Sequence, residues 1–276
     1  MRLGYSTITW GGVVGNATGV TSVKDLYYRA NGFMERAIAD IGSVGYVGVE
    51  MFDGNLVDFA DRPDDLRRLL DEAGVELAAV YTGGNFVYAD VLPDEMYRIS
   101  TACELAARFG ASRLVVGGGA RRAAGTTPDD YDRLASGLDA VVDLAAEHGL
   151  EASYHPHLGT IVESPDELDR LMERTRIGFC PDTAHLAAGG GDPAAQIRQY
   201  GDRLRHVLLK DIDRATGAFL PLGAGDLDMA DIVRAVDEAG YDSWLIVELD
   251  SYDGDPRAAA EHSFTRLRQL LADAGI

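Results

Sequence analysis

The sequence predicts one α/β domain, residues 1–276, folded as a single closed (β/α)8 barrel. Three observations predict it. Eight short apolar runs punctuate the chain. Amphipathic stretches with helix start and stop signals separate them, so the strands repeat as βα units and run parallel. The length, 276 residues with 46% apolar composition, suits the ~250 residues that eight such units take. A doubly wound open sheet is the competing arrangement of the same units.

The predicted strands are RLGYSTIT (2–9), YVGVEMF (46–52), VELAAVYT (75–82), SRLVVGG (112–118), LEASYH (150–155), RIGFCPD (176–182), LRHVLLKD (204–211) and SWLIVELD (243–250). Each is short and rich in Val, Ile, Leu or Tyr. The clearest helices cover 64–74, 94–110, 127–149, 164–175, 228–240 and 256–275. The third opens with Thr127 and Pro128, a cap and a first-turn proline, followed by two acids. Most of these segments close on glycine. One irregular stretch, 11–33, is longer than an ordinary βα connection and has the length of a lid or a surface insertion.

Composition excludes several classes. With 25 basic and 45 acidic side chains the formal charge is −20, a field that repels nucleic acid and anionic membranes. The two cysteines, Cys103 and Cys180, form no disulfide framework. The start MRLGYSTITWGG lacks a signal-peptide pattern, and no run approaches 18 apolar residues. A cytoplasmic protein acting on a small molecule is expected, with a homo-oligomer left open.

In such a barrel the loops after the strands build the site. The polar residues there are Glu50, His155, His157, Asp182, His185, His206, Lys210, Asp211, Glu248 and Asp250. Each has a structural explanation taken singly: a strand-end Asp caps the next helix, His206 sits among apolar neighbours, Lys210-Asp211 forms an ion pair. Their convergence on one mouth argues for a reaction centre. Mixed carboxylates and imidazoles suit a divalent ion such as Mn, Mg, Co or Zn. Such an ion stabilises an enediolate while a carboxylate moves the proton. Asn85 in YTGGNF is placed for a sugar hydroxyl. In GGGARRAAG (117–125), Arg121 and Arg122 either hold a substrate oxygen or neutralise local acids.

With these residues in view, the chain resembles the xylose-isomerase-like TIM barrels of the sugar phosphate isomerase/epimerase superfamily. The resemblance rests on YHPHLGTIVES (154–164), CPDTAHLAAGGGDP (180–193), HVLLKDID (206–213), FLPLGAGDLDMADIV (219–233) and GYDSWLIVELD (240–250), and YHPHLGT is similar to the inosose dehydratase branch. It implies a metal held at four strand ends, with Asp182 and Glu248 as two ligands and His155 in place of a usual Glu. The strand-7 ligand position carries Leu208. His206 has the inward parity but lies roughly 6–7 Å deeper, at ~3.3 Å per residue. The metal set is therefore His155, Asp182 and Glu248, unless the imidazoles act without metal.

The implied activity is isomerase or epimerase chemistry on a polyhydroxylated ketone, or a dehydratase-like loss of water. Glu248 is the expected base, with His155 and His185 catalytic. His157, Glu50, Lys210 and Asn85 are the expected substrate contacts. A ligand-binding barrel without turnover is the alternative that Leu208 raises. An endonuclease IV-like role is opposed by the charge and the few histidines.

Overall fold

In the computed structural model, which describes residues 1–11 and 27–276, eight strands form one parallel sheet. They are β1 (Arg2–Ser6), β2 (Gly48–Phe52), β3 (Glu76–Gly84), β4 (Arg113–Gly118), β5 (Glu151–Tyr154), β6 (Gly178–Phe179), β7 (Val207–Leu209) and, after a small ribbon, β10 (Trp244–Val247). Their order is β6-β5-β4-β3-β2-β1-β10-β7. Parallel bridges Phe179–Leu204 and Asp182–Leu208 join the two edges, with Leu208 N–H donating to Pro181 O at 2.9 Å. The ring of strands is thereby closed.

The helices are α1 (Met34–Val44), α2 (Asp53–Val57), α3 (Pro63–Ala73), α4 (Leu92–Arg108), α5 (Pro128–Glu147), α6 (Pro165–Met172), α7 (Thr183–Ala188), α8 (Pro193–Gln199), α9 (Met229–Glu238) and α10 (Pro256–Ala274). Their ends follow local chemistry. α5 and α6 open with capping boxes, Thr127 with Asp130 and Ser164 with Glu167, and each has proline in its first turn. α3 ends at Gly74, whose φ of 67° no β-carbon opposes.

Strand parity divides the core in two. Tyr5, Val49, Leu114, Val116, Tyr154, Phe179, Val207, Leu209, Leu245 and Val247 pack outward with the helices. Ala79, Val115, Cys180, Leu208 and Ile246 belong to a smaller buried cluster inside the ring. On β7 and β10, stepping two residues from Leu208 and Ile246 keeps the inward face, so His206, Lys210, Glu248 and Asp250 share it.

All eight predicted strands are present; β5, β6, β7 and β10 are shorter at both ends, and β3 runs on to Gly84. Residues 7–10 turn into a 3-10 helix rather than extending β1. β6 is only Gly178–Phe179, because Pro181 and the Asp182 cap start the next helix almost at once. The antiparallel ribbon β8 (Asp211–Ile212) and β9 (Phe219–Leu220) was not among the predicted elements. Most of the irregular 11–33 stretch, residues 12–26, lies outside the described residues. Both cysteines are free and buried. Among the described residues no helix is long and apolar enough to cross a membrane.

Candidate active site at the strand ends

Lys210 follows β7 directly and is fully buried. Its ammonium donates to Glu248 Oε1 at 2.6 Å and to Asp250 Oδ1 at 2.5 Å, and it pairs with Asp182 Oδ2 at 3.0 Å. Thr183 locks the backbone beneath it: Oγ1 accepts the Lys210 N–H at 2.8 Å and donates to the Lys210 carbonyl at 2.6 Å. The Phe219 ring, carried by the ribbon, covers Nζ at 4.9 Å. Asp182 Oδ1 accepts the N–H groups of Ala184 and His185 at 3.0 Å each, capping α7.

Beside this cluster stand three imidazoles. His157 and His185 rings lie 3.8 Å apart, and His155 lies 5.5 Å from His185 and 5.4 Å from His157. His157 Nδ1 meets the Leu158 carbonyl at 2.8 Å; a carbonyl only accepts, so Nδ1 carries a proton and Nε2 is the atom that can serve as a ligand. Each of the three offers a ligand atom, and these atoms lie within 4.8 Å of one another. Tyr81 borders His155 at 5.8 Å and Phe219 borders His185 at 4.9 Å. His185 Nε2 approaches Asp250 Oδ2 at 3.9 Å, linking the imidazoles to the lysine cluster.

One ammonium cannot offset three carboxylates, and burial adds to the imbalance. Burial pushes Glu248 up to about 8, with Asp250 and Asp182 adding and Lys210 opposing. Asp182 is also buried, which alone would raise it, but Lys210 and then His155 bring it below its ordinary value. Burial opposes the charge on Lys210, yet Asp182, Asp250 and Glu248 hold it well above the usual lysine range. Burial depresses His155 to about 3 and holds His185 well below the usual imidazole range. At neutral pH both rings are neutral, as metal ligands and hydrogen-bond acceptors must be.

The structure brings together His155, His157, Asp182, His185, Lys210 and Glu248. Two expectations, for Glu50 and Lys210, need correction. Glu50 does not line the mouth: it is 1% exposed, and Oε2 meets His206 Nε2 at 2.8 Å inside the ring. Lys210 points to protein carboxylates on every engaged side, so its buried ammonium is not placed for a substrate hydroxyl. Asn85 is exposed, and one of its side-chain N–H groups donates to Glu95 Oε1 at 2.9 Å. In each case a buried or neighbouring charge needed a partner, and sequence spacing does not show which one is nearest.

The expected metal set also fares differently from its parts. Leu208 is a carbon side chain within the inner apolar cluster. Asp182 and Glu248 both pair with the Lys210 ammonium. His155, His157 and His185 do fit a divalent ion, and an all-imidazole set suits zinc or cobalt better than magnesium. Arg121 pairs with Glu163 and Arg122 with Asp130, which answers local acids.

Phe219, Tyr81 and Thr183 went unassigned in the sequence. The stretch Asp213–Gly217, DRATG, is a turn signal between apolar runs and marks the ribbon that brings Phe219 over the site. Nothing local marks Tyr81 beyond its inward parity on β3.

Three comparisons bear on this arrangement. The model of the xylose isomerase-like TIM barrel family matches residues 37–270. An inosose dehydratase of Geobacillus kaustophilus (strain HTA426) is 28% identical, over 99% of this chain and 94% of the relative. Among solved structures, an L-ribulose 3-epimerase superposes with a TM-score of 0.75 at 19% identity, covering 99% of this chain and 95% of its own. The IOLI protein with a bound zinc atom superposes with a TM-score of 0.74 at 14% identity, covering 99% of each chain.

Proposed function

The chain belongs to the xylose isomerase-like TIM barrel family, and on that premise we propose that it is an enzyme that removes a proton beside the carbonyl of a polyhydroxylated ketone, a sugar or a cyclitol. The observation that carries this reading is Glu248. It is a rim carboxyl with Oε1 on Lys210, slight exposure and a pKa near 8. A base of that strength holds and releases a proton near neutral pH.

Glu248 takes the proton from the carbon beside the carbonyl, and the electron pair moves onto the carbonyl oxygen. The imidazole group is the place for that oxygen and for a neighbouring hydroxyl. A divalent ion on His155, His157 and His185 would add Lewis-acid polarisation of the carbonyl. Phe219 and Tyr81 wall the site with aromatic surface suited to a ring of carbons.

Two outcomes follow from the enediolate. Returning the proton to the former carbonyl carbon, while the neighbouring hydroxyl passes its proton to the former carbonyl oxygen, is isomerisation; expelling a β-hydroxyl, with C–O cleavage, C=C formation and return of the carbonyl, is dehydration. One carboxyl serves either, because the protonated Glu248 can deliver its proton to the carbon or to the departing oxygen. Epimerisation needs groups on two faces. Asp182 has both oxygens engaged, and His155 is held neutral by burial. The full-length likeness to an inosose dehydratase favours water loss from an inosose-type ketone.

The test is incubation in D2O with inososes and ketoses, followed by NMR and mass spectrometry. Deuterium entering beside the carbonyl, with loss of water from an inosose, is the expected result. No exchange and no water loss with any of these ketones overturns the reading.

A further inference from the structure

We propose that the Lys210 ammonium is the resident cation of the Asp182, Glu248 and Asp250 carboxylates, so that this part of the site takes no divalent ion and Lys210 acts as the residue that positions Glu248. The second half rests on the function proposed above; the first does not.

The geometry is that of a small-cation site with the cation covalently attached. Three carboxylates from two separate strand ends, after β6 and after β10, meet Nζ at 3.0, 2.6 and 2.5 Å. No other side chain among the described residues pairs with three carboxylates; Arg198, for example, meets two. The lysine stem is fully buried, its backbone is clamped on both sides by Thr183, and the Phe219 ring closes over Nζ. Below it, two residues back on the same inward face, Leu208 packs with Val115, Cys180 and Ile246 and offers no donor atom. A metal ion entering between Asp182 and Glu248 would have to displace a buried ammonium and leave it without its partners, a heavy electrostatic penalty.

The positioning role follows from the same contacts. Oε1 of Glu248 is tied to Nζ at 2.6 Å, which holds that oxygen in place and leaves the other for substrate. Lys210 touches carboxylates rather than reacting atoms, so its effect on the reaction passes through Glu248.

Manganese(II) tests the first half, since it prefers carboxylate oxygen to imidazole. Binding is followed by electron paramagnetic resonance of the free ion, with the wild-type protein and Glu248→Gln. Equal Mn(II) affinity in the two is expected; affinity at least tenfold weaker in Glu248→Gln means that a metal already uses this carboxylate and overturns the proposal. Lys210→Met, if folded by circular dichroism, gains an Mn(II) site that Lys210→Met/Glu248→Gln lacks. A folded Lys210→Met with no gain overturns the claim that the ammonium stands in an ion's place. If Lys210→Met does not fold, the Glu248→Gln comparison decides alone. For the positioning role, the pH limb assigned to Glu248 shifts in Lys210→Met; an unmoved limb overturns it. The Mn(II) result reads the same whether or not any ketone is turned over, so its failure is distinct from failure of the proposed reaction.

Discussion

Glu248 Oε1 lies 2.6 Å from Lys210 Nζ, and the same ammonium also faces Asp250 and Asp182. The contact joins the eighth barrel strand to the seventh and works against the burial that keeps a proton on Glu248. Burial prevails and pushes the Glu248 pKa up to about 8. The rate constant kcat/KM is expected to rise with pH toward a plateau above about 8, and Glu248→Gln removes both the limb and most of the activity, ~10²–10⁴-fold for a general base. Stability moves the other way. A carboxyl raised in the folded state stabilises below its unfolded value and loses that contribution as pH rises through about 8. Urea midpoints at pH 6 and pH 9 are therefore expected to converge in Glu248→Gln.

The three imidazoles make a separate prediction. Co(II) or Zn(II) titrated into metal-free protein binds with a stoichiometry near one. Replacing His157 or His185 by alanine weakens that binding by more than the ~10–100-fold that supporting residues cost at metal sites. Cobalt absorption reads the ligand change directly, and an unchanged affinity in both variants argues against the trio as a metal site.

A buried ion pair ties α2 to α4. Arg98 Nη1 lies 3.3 Å from Asp53 Oδ2, which also accepts from Thr82 Oγ1 at 2.8 Å, while Oδ1 accepts the Tyr28 and Gly54 N–H groups. Asp53→Ala leaves the guanidinium buried without its counter-ion and is expected to cost about 3–5 kcal/mol in urea unfolding. Arg98→Met costs less, because burial has already raised Asp53 to about 6 and the carboxyl takes up a proton. The stability that Asp53 contributes fades as pH rises through about 6, and the gap between Arg98→Met and the wild type widens with it.

Asp211 organises the ribbon that carries Phe219. Its carboxylate accepts N–H groups from Ile212, Gly223, Gly225 and Leu227 at 2.9–3.2 Å. Asp211→Ala frees those amides and is expected to destabilise by about 3 kcal/mol, as charge-assisted bonds are the stronger ones. Phe219 then loses its fixed seat, so KM rises more than kcat falls. Hydrogen exchange over residues 213–227 checks the loosening; unchanged protection there counts against it.

The architecture was legible because its signals are local. A two-residue alternation, a capping box such as Thr127–Asp130 and a glycine at a helix end each need only their neighbours in the chain. The parity of His206, Leu208 and Lys210 was legible for the same reason, and it correctly puts them on one face. Asp182 was readable as a cap, and one of its oxygens caps α7 while the other faces Lys210. The ribbon was missed because its strands are two residues each, too short for any periodicity.

By itself the sequence determined the eight βα units, the rim at which the polar residues gather and the family to which the chain belongs, since pattern and spacing survive without coordinates. Only the tertiary structure decided partners. Lys210 was free to meet a substrate hydroxyl or a carboxylate until closure of the ring set Asp182 and Glu248 around it, and Glu50 was a rim residue until His206, just before β7, reached it inside the ring. Coulomb energy in a buried site depends on distances of a few ångströms between residues tens or hundreds of positions apart, and no local pattern records those distances.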